Sequence, residues 1–218
     1  MSDPLAANAA RAIAFETWMN NVGLAPARWA PERPEHELLA EHYMMGLATS
    51  AMEEEAQQLL RGASLRPAFW QQVVDYIGNF THRVHRVKEE EVFFPALAEW
   101  GLLIPEDKEH FEADHRALGD LTRDLCDGVG EGDWEKAFRV VSIYLGRIRP
   151  HLAAEEVRLL SPEVAKIPTK DLAPISRRFR EIEAEALGSE GRNRIVTLTQ
   201  GICRSVGLAE LHAEIDTW

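Results

Sequence analysis

Two histidines in this chain are each followed four residues later by a glutamate, His85 by Glu89 and His151 by Glu155. On an α-helix, residues four apart lie one above the other, roughly 5–6 Å apart at Cβ. An imidazole and a carboxylate stacked in this way can share one metal ion. Two such stacks on facing helices can hold two ions, with the carboxylates between them. Both stacks fall on apolar stripes of helical period. Val74, Thr81 and Val92 share the side of His85, and Val140, Tyr144, Ile148 and Leu159 share that of His151. The chain must therefore fold so that both stripes face inward, which a helix bundle does.

Nearly every long segment has helical period. Residues 5–20 read as a leading helix, and 23–34, with three prolines and Trp29, as a packed connector. From 34 to about 60, Leu38, His42, Met45, Thr49, Met52 and Ala56 recur at spacings of three and four. A second helix is predicted over about 68–100. Pro105 suits the first position of a third, over 105–127. A loop over 127–132 follows, and Asp133 is a natural N-cap for a fourth helix reaching about 160. Ser161-Pro162-Glu163 reads as a fresh helix start. Residues 171–187 and 191–206 form two more helices, with Gly188 ending the first. No stretch alternates as a strand would. The predicted class is all-α: an up-down-up-down four-helix bundle over 34–165, an N-terminal helix and connector over 1–33, and a C-terminal helical annex over 166–218 packed on the bundle.

The 218 residues carry a formal charge of −12, which argues against non-specific binding to nucleic acid or to an anionic membrane. No apolar run approaches the roughly 20 residues of a membrane span. Cys126 and Cys203 are far apart and form no CxxC motif, which fits thiols in a reducing compartment. The N-terminus has no basic segment leading into an apolar stretch, so the expected location is the cytoplasm.

The ligand candidates follow an order along the chain: His42 alone, His85 with Glu89, His115 alone, His151 with Glu155. His115 shares its side with Phe111, Leu118, Thr122 and Leu125. One inward histidine is most often a satisfied core residue. An inward glutamate is different, because a buried carboxylate without a partner costs several kcal/mol, on the order given for buried ions. Two inward His–Glu stacks, with an inward histidine on each remaining helix, point to metal. The mixed nitrogen and oxygen donors favour non-haem iron over structural zinc, which would favour cysteines, and manganese fits the same set.

The run from His82 to Pro95, with His85, Glu89, an apolar pair and Pro, resembles the second helix of the hemerythrin-like (HHE cation-binding) family. Glu41-His42 is similar to that family's first-helix pair, and Asp114-His115-Arg116 to its third-helix pair. His151 through Pro162 resembles its fourth helix. The resemblance covers about residues 34–165. It implies a four-helix bundle with two iron ions held by His42, His85, Glu89, His115, His151 and Glu155. Glu89, Glu155 and a solvent oxygen (oxo or hydroxo) would bridge the irons. The family's oxygen carriers use five histidines, a Glu and an Asp; four histidines and two glutamates leave more open coordination for chemistry with oxygen, peroxide or nitric oxide.

Other residues are read in relation to this set. His82, one turn before His85, is either a fifth nitrogen ligand or a hydrogen-bonding neighbour at the rim. His110 points away from His115, His36 is expected to be exposed, and His212 to be unrelated. Tyr144 is either a core residue or a donor to a bound ligand. Pro150 removes a backbone donor within the fourth helix. Glu53, Glu54 and Glu55 read as a mostly solvated face, and Met44, Met45 and Met52 as core. Three functions fit: a di-iron oxidoreductase or binding protein for O2, peroxide or NO, an iron- or oxygen-sensing module without turnover, and a di-iron oxygenase for a small organic substrate. The annex could serve access, homo-oligomer formation or a substrate, or act only as a buttress.

Overall fold

A computed structural model of the chain describes residues 33–159, 163–189 and 191–208. The expected leading helix over 5–20, Trp29, Ser161, Pro162 and His212 lie outside the described residues. Within them the protein is all-helical, with no strand. Six helices follow one another. α1 is Pro34–Leu60, and α2 is a continuous helical run over 67–99. α3 is Pro105–Glu131, α4 Trp134–Leu159, α5 Thr169–Leu187 and α6 Gly191–Ser205, with a 3-10 turn at Val164–Lys166 before α5. No helix of the described residues is long and apolar enough to cross a membrane.

Local chemistry sets these boundaries. Proline occupies the first turn of α1, α2 and α3, where its missing N–H costs no intrahelical bond. α3 runs to Glu131, so the loop expected over 127–132 is helix instead. The chain turns only at Gly132, whose φ of 72° is the left-handed conformation that closes helices. Asp133 then caps α4, its Oδ1 accepting from the Lys136 amide at 3.0 Å. α4 continues as helix through Pro150.

α2 departs from ideal geometry. Two π-helical stretches, Ile77–His85 and Glu89–Phe93, are separated by a short α-helical Arg86–Lys88. Wide turns of this kind are rare and concentrate at functional sites.

The apolar interior is divided into two clusters. The larger holds residues of 44–52 in α1, 69–84 in α2, 118–129 in α3, 137–152 in α4, and Leu187, Ile195, Ile202 and Cys203 of the annex. The smaller gathers Leu38, Phe93, Phe94, Leu97, Phe111, Leu172, Ile175 and Phe179. The annex therefore contributes to both. Its ends are held by arginines and a glutamine that satisfy free carbonyls. Arg33 donates to Ile167 O at 3.2 Å and Val164 O at 3.1 Å, Arg66 to Ser205 O, and Gln58 to Val206 O at 3.2 Å.

α1 corrects three sequence expectations. It is buried on almost every side through its first five turns, not along one stripe. His36 is accordingly buried, and burial together with Arg33 pushes its pKa down to about 4. Glu54 and Glu55 are buried as well, paired with Arg61 and Arg66, while Glu53 meets Arg149 at 2.6 Å. The run is an ion-pair seam, because basic side chains from neighbouring elements reach it. Met44, Met45 and Met52 are core, as expected, and Cys126 and Cys203 are unpaired.

α3 and α4 pack closely at Gly128. A Cβ there would lie 3.1 Å from Ala137 N and 3.3 Å from Ala137 Cα. Gly128→Leu is expected to destabilise the fold by about 1–3 kcal/mol, as overpacked sites do. Gly130 faces open space, so Gly130→Ala should instead stabilise by roughly 0.5–1 kcal/mol through helix propensity. Paired thermal melts check the opposite signs.

Candidate metal centre

The six sequence-predicted residues, His42, His85, Glu89, His115, His151 and Glu155, meet between the two apolar clusters, all buried. They come from α1, α2, α3 and α4, at the level where each helix passes from one cluster to the other. The imidazoles form two pairs: His42 and His85 with ring centroids 4.9 Å apart, and His115 and His151 at 4.7 Å, both edge to face. Phenylalanines set the ring planes. Phe94 stacks on His115 at 6.0 Å, and Phe111 meets His151 edge-on at 6.1 Å.

The two carboxylates lie between the pairs. Glu89 Oε1 is 3.3 Å from His85 Nε2 and 3.6 Å from His42 Nε2, while its Oε2 is 3.3 Å from His115 Nε2. Glu155 Oε2 is 3.2 Å from His151 Nε2 and 3.6 Å from His42 Nε2, with Oε1 3.4 Å from His115 Nε2. All four Nε2 atoms thus converge on four carboxylate oxygens. Yet both oxygens of each glutamate lack a hydrogen-bond partner, as do Nε2 of His42 and His85. Donor atoms that crowd together without bonding to one another are suited to ligating a third body. Ligand atoms of one coordination sphere stand in this relation, and the cage could hold a metal ion in two groupings: His42, His85, Glu89 and Glu155, and His115, His151 and Glu155.

Behind each imidazole stands another carboxylate facing Nδ1. Glu41 Oε2 accepts from His85 Nδ1 at 2.8 Å and Glu90 Oε1 from His115 Nδ1 at 2.9 Å. Glu156 lies 3.5 Å from His42 Nδ1, and Asp114 lies 3.5 Å from His151 Nδ1. Where the Nδ1 proton is given to a carboxylate, the Nε2 lone pair faces the cage, which fixes the tautomer a metal ligand needs. The carboxylates also govern charge. Burial alone would depress the His42 pKa, but Glu156, Glu89 and Glu155 lift it to about 10. His115 rises in the same way to about 11, through Glu155, Glu89 and Glu90.

Glu41 has a further partner that the sequence reading missed. Lys88 is fully buried, its Nζ 2.5 Å from Glu41 Oε1 and from Glu37 Oε1, and 2.6 Å from Glu183 Oε1. Burial would raise the Glu41 pKa, but Lys88 and His85 hold it down at about 2. A lysine next to an inward glutamate reads from sequence as a surface residue; the nearest available signal was the acidic pair Glu37 and Glu41 one turn apart.

The remaining candidates stand outside the cage. His82 Nε2 lies 2.8 Å from Thr122 Oγ1, which itself donates to Leu118 O, so the histidine is the donor of that pair. Burial, then Arg86 and His115, push the His82 pKa down to about 4, so its ring is neutral. His110 is exposed. A cavity of about 10 Å³ adjoins the cage, lined by Met45, Thr81, His82, His85, His115 and His151 among others, with room for about one water-sized molecule. Tyr144 instead lines a second apolar cavity of similar size with Tyr76 and Ile202.

No family model, curated protein or solved structure matches this chain.

The raised pKa values of His42 and His115 mean that a metal binding at Nε2 would displace protons, so uptake should release protons and weaken as pH falls. An indicator-dye titration with a divalent ion checks this. A saturating ion, at about 100 times its Kd, should also stabilise the fold by about 2.7 kcal/mol, reversibly with chelator. A His42→Ala/His115→Ala variant should show neither effect.

Proposed function

We propose that α1–α4 form an up-down-up-down four-helix bundle of the hemerythrin-like kind. In this reading the bundle holds two non-haem iron ions and binds, reacts with or senses O2, peroxide or nitric oxide. The observation that carries this reading is the placement of Glu89, whose two oxygens face different histidine pairs, Oε1 toward His42 and His85 and Oε2 toward His115. A carboxylate so placed is suited to bridge two ions. The buried, unpartnered oxygens of Glu89 and Glu155 fit the metal on the same ground. Four imidazoles and two carboxylates give each ion nitrogen and oxygen donors with positions left open, an environment that suits iron and accommodates manganese.

Bound iron would supply Lewis acidity and electron transfer. The protein's own part is to bind, orient and exclude. Phe94 and Phe111 hold the His115 and His151 rings in place, while Glu41 and Glu90 hold the Nδ1 protons of His85 and His115. Met45, Leu118, Ile148 and Leu152 give the adjoining cavity an apolar wall. That cavity, about one water in size, leaves no room for an organic substrate beside the cage, which favours a small ligand over the oxygenase reading. His82 lines the same cavity. With its Nε2 proton engaged by Thr122, the neutral ring has an accepting lone pair on Nδ1.

Metal analysis should find about two irons per chain, with the near-ultraviolet absorption of a bridged ferric pair in air, as expected for a di-iron carboxylate bundle. Glu89→Ala or Glu155→Ala should lose both ions together, and a variant that keeps a full complement would refute the bridge. Turnover with peroxide, as against a spectral change alone, separates an oxidoreductase from a sensor.

His82→Ala should keep the metal content and change the rate of reaction with peroxide or nitric oxide. Loss of one ion in that variant would make His82 a ligand.

A further inference from the structure

Three of the four imidazoles are backed by carboxylates that reach the surface of the first four helices. Glu90 pairs with the half-buried Arg86, Asp114 with the exposed Arg147, and Glu156 is itself 41% exposed on its side chain. His85 is backed differently. Glu41 is buried and spans two partners, Oε2 accepting from His85 Nδ1 and Oε1 from Lys88 Nζ. An ammonium group has three N–H donors. Here they meet three carboxylates: Glu37 and Glu41 of α1, and Glu183 of α5. The Phe179 ring of α5 lies 5.3 Å from the same nitrogen. Arg192 of α6 closes the network from outside, 3.2 Å from Glu37 Oε2 and 3.3 Å from Glu183 Oε1.

The arrangement leaves little freedom. Three carboxylates face two cations, so one negative charge remains behind His85. If Glu183 is removed, Lys88 keeps a buried N–H without its acceptor, and the lysine must shift toward Glu37 or Glu41. Either shift moves the carboxylate that holds the imidazole. Buried hydrogen-bonded networks of this kind act as units, because each member's position is set by the others.

We infer that Lys88 and Glu183 are positioning residues of the metal centre, fixing the His85 imidazole through Glu41, so that the C-terminal helices are a working part of the His42–His85 position. The inference rests on the two-metal reading above. It makes the two positions unequal: the hydrogen-bond network behind His85 reaches into the annex, whereas the carboxylates behind His115 and His151, Glu90 and Asp114, belong to the first four helices.

The test uses full-length protein loaded with cobalt(II), whose visible absorption reports its ligand field. Five proteins are compared: wild type, Glu183→Gln, Lys88→Met, the Glu183→Gln/Lys88→Met double variant, and Glu90→Gln as the control on the other position. Glu183→Gln and Lys88→Met are each expected to weaken one of two cobalt ions in chelator competition, by up to the about 10–100-fold seen when a ligand's own outer partner is lost. Each should change that ion's spectrum and leave the other ion unaltered. Glu90→Gln should perturb the other ion. The Glu183→Gln/Lys88→Met double variant should be little worse than the weaker single, since both act through Glu41. Glu183→Gln keeps the side chain's shape at a partly exposed position, so it stays informative if Lys88→Met fails to fold. If Glu183→Gln lowers only the melting temperature and keeps both ions at wild-type affinity and spectrum, the annex is a buttress and the inference is overturned. If wild type binds no cobalt, the two-metal reading fails first and takes this inference with it.

Discussion

Two carboxylates at the centre of the apolar core, Glu89 and Glu155, are the constraint on which the rest of the structure turns. Leaving either charged and unpartnered in a low-dielectric interior costs several kcal/mol, of the order found when one half of a buried ion pair is removed. The fold answers by bringing an imidazole from every one of α1–α4 to the same level. That polar layer is why the apolar interior is two clusters and not one. It is also why all four helices must be in register: a helix displaced by one turn would withdraw its histidine and place an apolar side chain against a carboxylate.

α2 carries the heaviest load. It presents Glu89 to the cage and, one residue earlier, Lys88 to α5, and both side chains are fully buried. Consecutive residues on a helix point about 100° apart, so burying both requires packed neighbours on two sides. The first four helices supply one side and the annex the other. The annex therefore completes the enclosure of α2, and its side chains enter both apolar clusters. It also brings Glu183 to within 2.6 Å of Lys88 Nζ.

Much of this was legible in the sequence. The His-x-x-x-Glu stacks sit on apolar stripes, and apolar periodicity reports burial directly, so the six cage residues and the helix order could be read. The bounds of α1 and the cap at Asp133 follow from local rules of the same kind. What could not be read depends on partners outside the helix's own periodic pattern. His36, Glu54 and Glu55 look exposed by pattern but are buried, because α1 is enclosed from several sides and Arg61 and Arg66 reach the acids. Lys88 looks like surface until α5 is placed beside it. The overrun of α3 past 127 reflects Gly128 and Gly130, two apparent breakers that the helix tolerates. At Gly128 the missing side chain lets Ala137 approach. The π-helical stretches of α2 leave no trace in composition.

Those wide turns tie the length of α2 to two clients at once. Residues 69–84 serve the larger apolar cluster and Glu89 serves the cage, with nine π-helical residues, Ile77–His85, leading into the ligand pair. A wide turn takes more residues per revolution than the roughly 3.6 of an α-helix, so this stretch changes the facing of everything after it relative to an α-helix of equal length. Wound at ordinary pitch with the same number of residues, α2 would turn His85 and Glu89 away from the face that Trp70 sets. The irregular helix thus works as a phase adjuster, matching the packing period of a core to the spacing of the His–Glu cage.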